Sequence, residues 1–328
     1  MARLLAAVAS FTVAFCAPAF ACPFPPPAVH DLELTRFYTD SAGSKADPAL
    51  LEQHKDQTAP IRDYLRQVTA EADASFIQET ESLGLYRARC ALEWLEVWAR
   101  DEALLGRVIN KQAGAERRWT LAGAALSYIK VKPAANPEQR QAIEAWLGKI
   151  AHAAQNDFAR EASKHNNHWY WLGLGLGATA IATGDEALWT QARDIMQEAA
   201  SAISTDGTLP LELAREARAL HYHAFALMPL TALAELARSR GEDWYALNDG
   251  ALHRLVAITA QGIERPQIFK TLSGFDQEQP VNMQYGWLPL YRLERPDAYA
   301  NARFEMPSGH YWLGGNVLLL NRALTKKP

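Results

Sequence analysis

An all-α fold is predicted by three features of the chain. Apolar residues recur with the helical period, glycine-containing stop signals fall where those stretches end, and runs of alternating β-branched residues are nearly absent. The 328 residues amount to 36.4 kDa, and 49% of them are hydrophobic, which is enough for a sizeable core and incompatible with a disordered chain. A formal charge of −4 and a pI near 6.2 argue against a nucleic-acid partner. Three cysteines are too few for a disulfide scaffold or a four-ligand zinc module. The 10 Trp and 11 Tyr suit either a large core or a groove that stacks on sugar rings.

The elements follow in order. Arg3, an apolar run from Leu4 to Phe15 and the small-residue pattern Ala19-Phe20-Ala21 read as a signal peptide over 1–21, so the chain is expected to be exported to the periplasm. Residues 22–328 then form one domain without a membrane span. Export leaves Cys22 and Cys90, which in an oxidising compartment suggests a pair, or else a buried Cys90 and a lipid-modified or mobile Cys22. Residues Phe37 to Pro48 form a polar loop with Tyr38 and Lys45, placed to act as a lid. Ala91, Trp94, Leu95 and Trp98 make the stripe of an amphipathic helix within 85–105, and Leu188 to Ile203 and Leu227 to Leu236 repeat the pattern. Stops are expected at Gly184, Gly207, Gly241 and Gly250. Residues 269–316 carry too many prolines and glycines for long helices, and long irregular segments are often functional.

Two clusters carry chemistry. In His165-Asn166-Asn167-His168-Trp169-Tyr170-Trp171, one Asn suffices to cap the following helix, which leaves a second Asn, two His and three rings to explain. His165 and His168 lack a nearby carboxylate or Cys ligand, so no metal is expected, and no cofactor is implied. Gly173, Gly175 and Gly177 lack the strand and the Lys-Ser/Thr of a phosphate loop and are read as sites of close helix packing. In the second cluster, Pro210 starts a helix predicted to run through His223. Its spacing places Arg215, Arg218 and Tyr222 on one face, where two cations beside a phenol favour phenolate. His221 and His223 point to different faces. Asn, His, Arg and Tyr together suit β-elimination on a polyuronate. Neutralising the carboxylate acidifies the C5 proton, and a tyrosine can take that proton and return one to the C4 oxygen.

The segments Asn166–Trp171 (NNHWYW), Leu209–Leu227 and Cys90–Leu105, with weaker echoes at Gln284–Tyr291 and Trp312–Asn316, resemble the alginate lyases of polysaccharide lyase family 5. The resemblance implies an incomplete α/α toroid with a tunnel-like cleft. It implies Asn167, His168 and Arg215 at the carboxylate and Tyr222 as acid and base. Tyr38, Trp171, Arg218, His221 and Trp312 are implied to bind an anionic polysaccharide, and Cys22 and Cys90 to form a disulfide. The expected assembly is a monomer. Trp169, His221 and Trp312 depart from the family pattern at expected sugar subsites, which bears on the substrate: polymannuronate first, with polyglucuronate and hyaluronan as further candidates. The rival readings are a non-catalytic polyuronate-binding or export protein of the same fold and an α/α-toroid glycoside hydrolase.

Overall fold

The computed structural model describes residues 21–161, 164–302 and 309–325; the signal-peptide reading of 1–21 lies almost wholly outside them. The helices, in chain order, are α1 Pro48–Ala74, α2 Glu81–Arg100, α3 Lys111–Val131, α4 Pro137–Arg160, α5 Asn167–Thr183 and α6 Glu186–Ala202. They continue as α7 Pro210–Leu213, α8 Ala219–Ser239, α9 Leu247–Glu264, α10 Gln267–Ser273, α11 Trp287–Glu294 and α12 Val317–Thr325. One two-stranded hairpin pairs β1, Gly309–His310, with β2, Gly315–Asn316.

Each helix up to α6 starts where a polar side chain satisfies the free N–H groups of its first turn: Asp47, Thr80, Asn110, Asn136, Asn166 and Asp185. Gly184 ends α5 in the left-handed region, as its position in the sequence foretold. Asn248, Asp249 and Gly250 are also left-handed, so the predicted stop there marks the turn at the start of α9.

Helical hairpins wrap into an open α/α toroid. Helices α3, α5 and α8, buried on almost every side, stand in a central row extended by α1 and α11, and α2, α4, α6 and α9 pack behind them. The glycines of α5 make this row possible. A Cβ on Gly173 would lie 2.7 Å from Ile195, and on Gly175 or Gly177 3.0 Å from Leu121 or Leu233. The close-packing reading of these glycines therefore holds. Charges buried in the row are paired: Arg117 with Asp157 at 2.5 Å and Arg118 with Glu161 at 3.2 Å. Lys130 donates to Asp73, Gly314 O and Asn316 O, pinning the β-hairpin and its Trp312 against α1 and α3. Cys22 and Cys90 are disulfide-bonded across a separation of 68 residues, a loop whose closure stabilises the fold by about 4 kcal/mol in the chain-entropy account.

One prediction fails. The helix expected from Pro210 through His223 is broken: α7 lasts one turn, Glu216 takes φ +54°, and residues 216–218 form a 3-10 turn before α8. Partners from distant loops hold the break. Gln277 Nε2 donates to Glu216 O, and Glu278 N–H donates to Ala217 O. Arg215 and Tyr222 therefore converge across a kink and not along two helical turns.

Candidate active site

The central row, the 37–48 loop and the β-hairpin enclose a cavity of about 780 Å³. Arg36, Lys55, Arg62, Lys111, Arg118, Lys164, Arg215 and Arg218 line it, against one carboxylate among the described lining residues, Asp40. That carboxylate is occupied. It accepts from the Ser44 and Lys45 N–H groups and the Ser44 hydroxyl, which outweigh burial and hold it down at about 2. The lining of the cavity is thus mostly cationic, with Arg62, Arg118 and Arg218 paired from behind by Glu116, Glu161 and Glu278, and its apolar surface combines aromatic rings with Leu51, Leu211, Val281 and Met283. Trp312 stacks on Trp119 at 4.4 Å, and Phe225 meets both edge-on.

The kink at 214–218 gathers the second cluster. Arg215 lies over the Tyr222 ring with its guanidinium carbon 3.5 Å from the centroid, and Arg218 stands 5.1 Å away. Burial pushes the Tyr222 phenol up, and Arg215 and Arg218 pull against it. At rest it is therefore protonated, with cations poised to favour its phenolate. Arg218 also donates to His221 Nε2 at 2.7 Å; burial and then the two arginines drive His221 down to about 3, so it is neutral. His223 faces the other way, as its spacing predicts. Its Nε2 accepts the Leu209 N–H and its Nδ1 donates to Ala219 O, which ties α7 to the first turn of α8.

The lid expected at 37–48 lies over this group. The Tyr38 and Tyr222 hydroxyls are 2.8 Å apart, and Arg218 donates to the Tyr38 oxygen at 2.5 Å. Gly43 O accepts from Arg215 Nη2 at 3.1 Å and more weakly from the Tyr222 hydroxyl. Gly43 sits at φ +63°, and a Cβ there would come within 2.6 Å of Arg215.

From the first cluster, Asn166 is the cap and His168 reaches the cavity. Burial first, then Arg118, Arg215 and Lys111, drive His168 well below the usual histidine range, so it is neutral, with Nδ1 unpartnered among the described residues. Asn167 is fully buried behind the wall, its amide donating to Glu212 at 2.9 Å. Two expected sugar contacts lie elsewhere. Trp171 is fully buried beneath the floor, against Phe225 and Trp312, because it stands on the inner face of α5. Trp169 is stacked on His165 at 4.2 Å and donates to Glu198, away from the cavity lining. Tyr38, Arg218, His221 and Trp312 do line the cavity.

Glu212, Gly43, Trp119 and Arg118 were missed by the sequence reading. Only Glu212 left a signal, a lone carboxylate between Leu211 and Leu213, where a buried charge needs a partner. Among the described residues, no group of three His, Cys, Asp or Glu side chains could hold a metal ion, and no helix is long and apolar enough to cross a membrane.

A toroid of helical hairpins around a cationic, aromatic cleft defines the class: a polysaccharide lyase with an α/α toroid fold. Residues 33–269 match the alginate lyase family, and the chain belongs to that family. It is 42% identical to a polysaccharide lyase of Stenotrophomonas maltophilia over 92% of this chain and 90% of that one. It is 31% identical to an alginate lyase of Azotobacter vinelandii over 94% and 86%. The fold superposes on alginate lyase A1-III of a Sphingomonas species with a TM-score of 0.77 at 23% identity, covering 95% of this chain and 87% of that one.

Proposed function

We propose that the protein cleaves a polyuronate, polymannuronate foremost, by β-elimination. The observation that carries this reading is the Arg215 guanidinium lying over the Tyr222 ring, beside neutral His168, in a cleft whose other charges are almost all cationic. A uronate carboxylate entering the cleft displaces Gly43 O from Arg215 and takes a charge-assisted bidentate pair in its place. Neutral His168 donates one N–H to it. Asn167 supports this from behind the wall: its amide on Glu212 holds the start of α5, and with it His168, in place. The carboxylate is thereby neutralised, and the C5 proton becomes acidic enough to remove.

Tyr222, once its resting proton has passed to water, takes the C5 proton as phenolate and hands it to the C4 oxygen as that bond breaks, ending as phenolate again. Arg218 only donates, so the Tyr38 oxygen accepts from it; the Tyr38–Tyr222 hydrogen bond can run either way, and once Tyr222 is phenolate it is the Tyr38 O–H that donates. Mannuronate and glucuronate share configuration at C4 and C5, and in both the proton and the oxygen leave from one side. A single tyrosine serves them, whereas guluronate presents its proton on the opposite face. His221 and Trp312, which line the cavity where the family pattern differs, are the ground for proposing glucuronate polymers as secondary substrates. A hydrolase would need two carboxyl groups across the bond, and among the described residues the cavity lining offers Asp40 alone, held within the lid turn. The Cys22–Cys90 bond supports export to an oxidising compartment.

The test is to incubate the protein with polymannuronate, polyglucuronate, hyaluronan and polyguluronate and follow the ultraviolet absorbance of C4–C5 unsaturated ends. Polymannuronate should be fastest and polyguluronate slowest. No absorbance from any polymer, or a preference for polyguluronate, would overturn the reading.

A further inference from the structure

We propose that Glu212, which lies out of reach of the substrate, is a positioning residue for this elimination, joining the two halves of the site through one buried carboxylate. The inference rests on the lyase reading above and adds a residue to it. Glu212 is fully buried on the one-turn helix α7, and its Oε1 accepts both the backbone N–H of Asn167 at 2.6 Å and the Asn167 amide at 2.9 Å. Its Oε2 has no hydrogen-bond partner among the described residues and faces Arg215 Nη1 at 3.8 Å. One side chain therefore touches the first residue of α5, immediately before His168, and the guanidinium that lies over Tyr222.

The chemistry of a carboxylate explains why this position holds Glu. Burial raises Glu212, and Arg215 and the two Asn167 N–H donors oppose this; as a carboxylate it accepts and never donates, so Asn167 turns its Nδ2 toward Glu212 and leaves Oδ1 on the other side, unpartnered among the described residues. An amide in place of Glu212 would remove that constraint and let Asn167 flip. The negative charge also sits at the N-terminus of α5, where the helix dipole favours it. Toward Arg215 the arrangement is looser. At 3.8 Å the charge holds the cation in place without using up an N–H in a hydrogen bond, which leaves those donors for a substrate carboxylate. α7 itself is held by the Leu209 N–H donating to His223, so the carboxylate is anchored on the side away from the cavity.

The test compares the wild type with Glu212→Gln, Asn167→Ala and the double variant on polymannuronate. It measures kcat and KM from the unsaturated product, the affinity for a mannuronate oligomer by calorimetry, and thermal melting. Glu212→Gln should lose about tenfold or more in kcat, while oligomer affinity changes less than about threefold. The double variant should be no slower than the slower single, because the two residues act as one unit. Glu212→Asp, which keeps the charge, should recover part of the loss. If Glu212→Gln does not fold, Asn167→Ala carries the test, since it breaks the same contact from the other side and must show the same split between kcat and affinity. Glu212→Gln turning over within threefold of the wild type, or a double variant whose loss is the product of the single losses, would overturn the proposal. A wild type that makes no unsaturated product would instead defeat the lyase reading itself.

Discussion

Tyr222→Phe removes one oxygen from the centre of the site and leaves the surrounding contacts almost unchanged. The ring remains beneath Arg215 at 3.5 Å and beside Arg218 at 5.1 Å, so the cationic pocket that receives the carboxylate survives. The lost contacts are the 2.8 Å hydrogen bond with Tyr38 and the 3.4 Å contact with Gly43 O. One hydrogen bond of this kind is worth about 1 kcal/mol net, and the variant also buries one polar group fewer, so its melting temperature should stay within a few degrees of the wild type, on the order of 3 °C. Turnover should behave differently. A positioned acid–base group contributes about 10²–10⁴ in rate, and here one hydroxyl serves both proton transfers, so kcat should fall by about 10³ or more, roughly 4 kcal/mol of transition-state stabilisation. The assay is initial-rate ultraviolet absorbance on polymannuronate across a concentration series, with calorimetry of oligomer binding as the control for affinity. A variant with kcat within tenfold of the wild type, or one whose defect lies entirely in KM, would show that Tyr222 does not carry the proton.

Two further outcomes follow from the geometry. Gly43→Ala places a methyl 2.6 Å from Arg215 in a backbone region that costs an L-residue about 1–2 kcal/mol, so the guanidinium must swing off Gly43 O and the lid should loosen. kcat/KM should drop about tenfold and the 37–48 loop should become a protease target, with wild-type cleavage rates and activity as the contrary result. Burial raises Glu235 to about 7, with Arg238 and the Tyr245 hydroxyl opposing. The folded state therefore binds that proton more tightly than the unfolded chain does, and the stability this gives at low pH is lost as pH rises through 7. Glu235→Gln should flatten the fall in unfolding free energy between pH 5 and 8, by at most about 3 kcal/mol, and parallel stability curves for the two proteins would contradict it.

What the sequence by itself determined is what short-range periodicity and local caps record. The stripe of α2, the Asn166 cap, the Gly173-Gly175-Gly177 face of α5 and the Gly184 stop depend on neighbours within a turn or two, and each stands where its residues place it. The residue types at His168, Arg215 and Tyr222 were legible for a related reason: their polar atoms are not used up by the helices that carry them. Tertiary structure decided how these residues meet. The break at Glu216 is invisible to periodicity, because it is held by Gln277 and Glu278 from about sixty residues further along the chain. Trp169 and Trp171 follow the same motif, yet one faces outward and the other the core, since the rotation of α5 is set by what it packs against. Glu212 and Gly43 act only through partners far away in sequence, Asn167 and Arg215, and a contact of that kind exists only once the chain has closed around it.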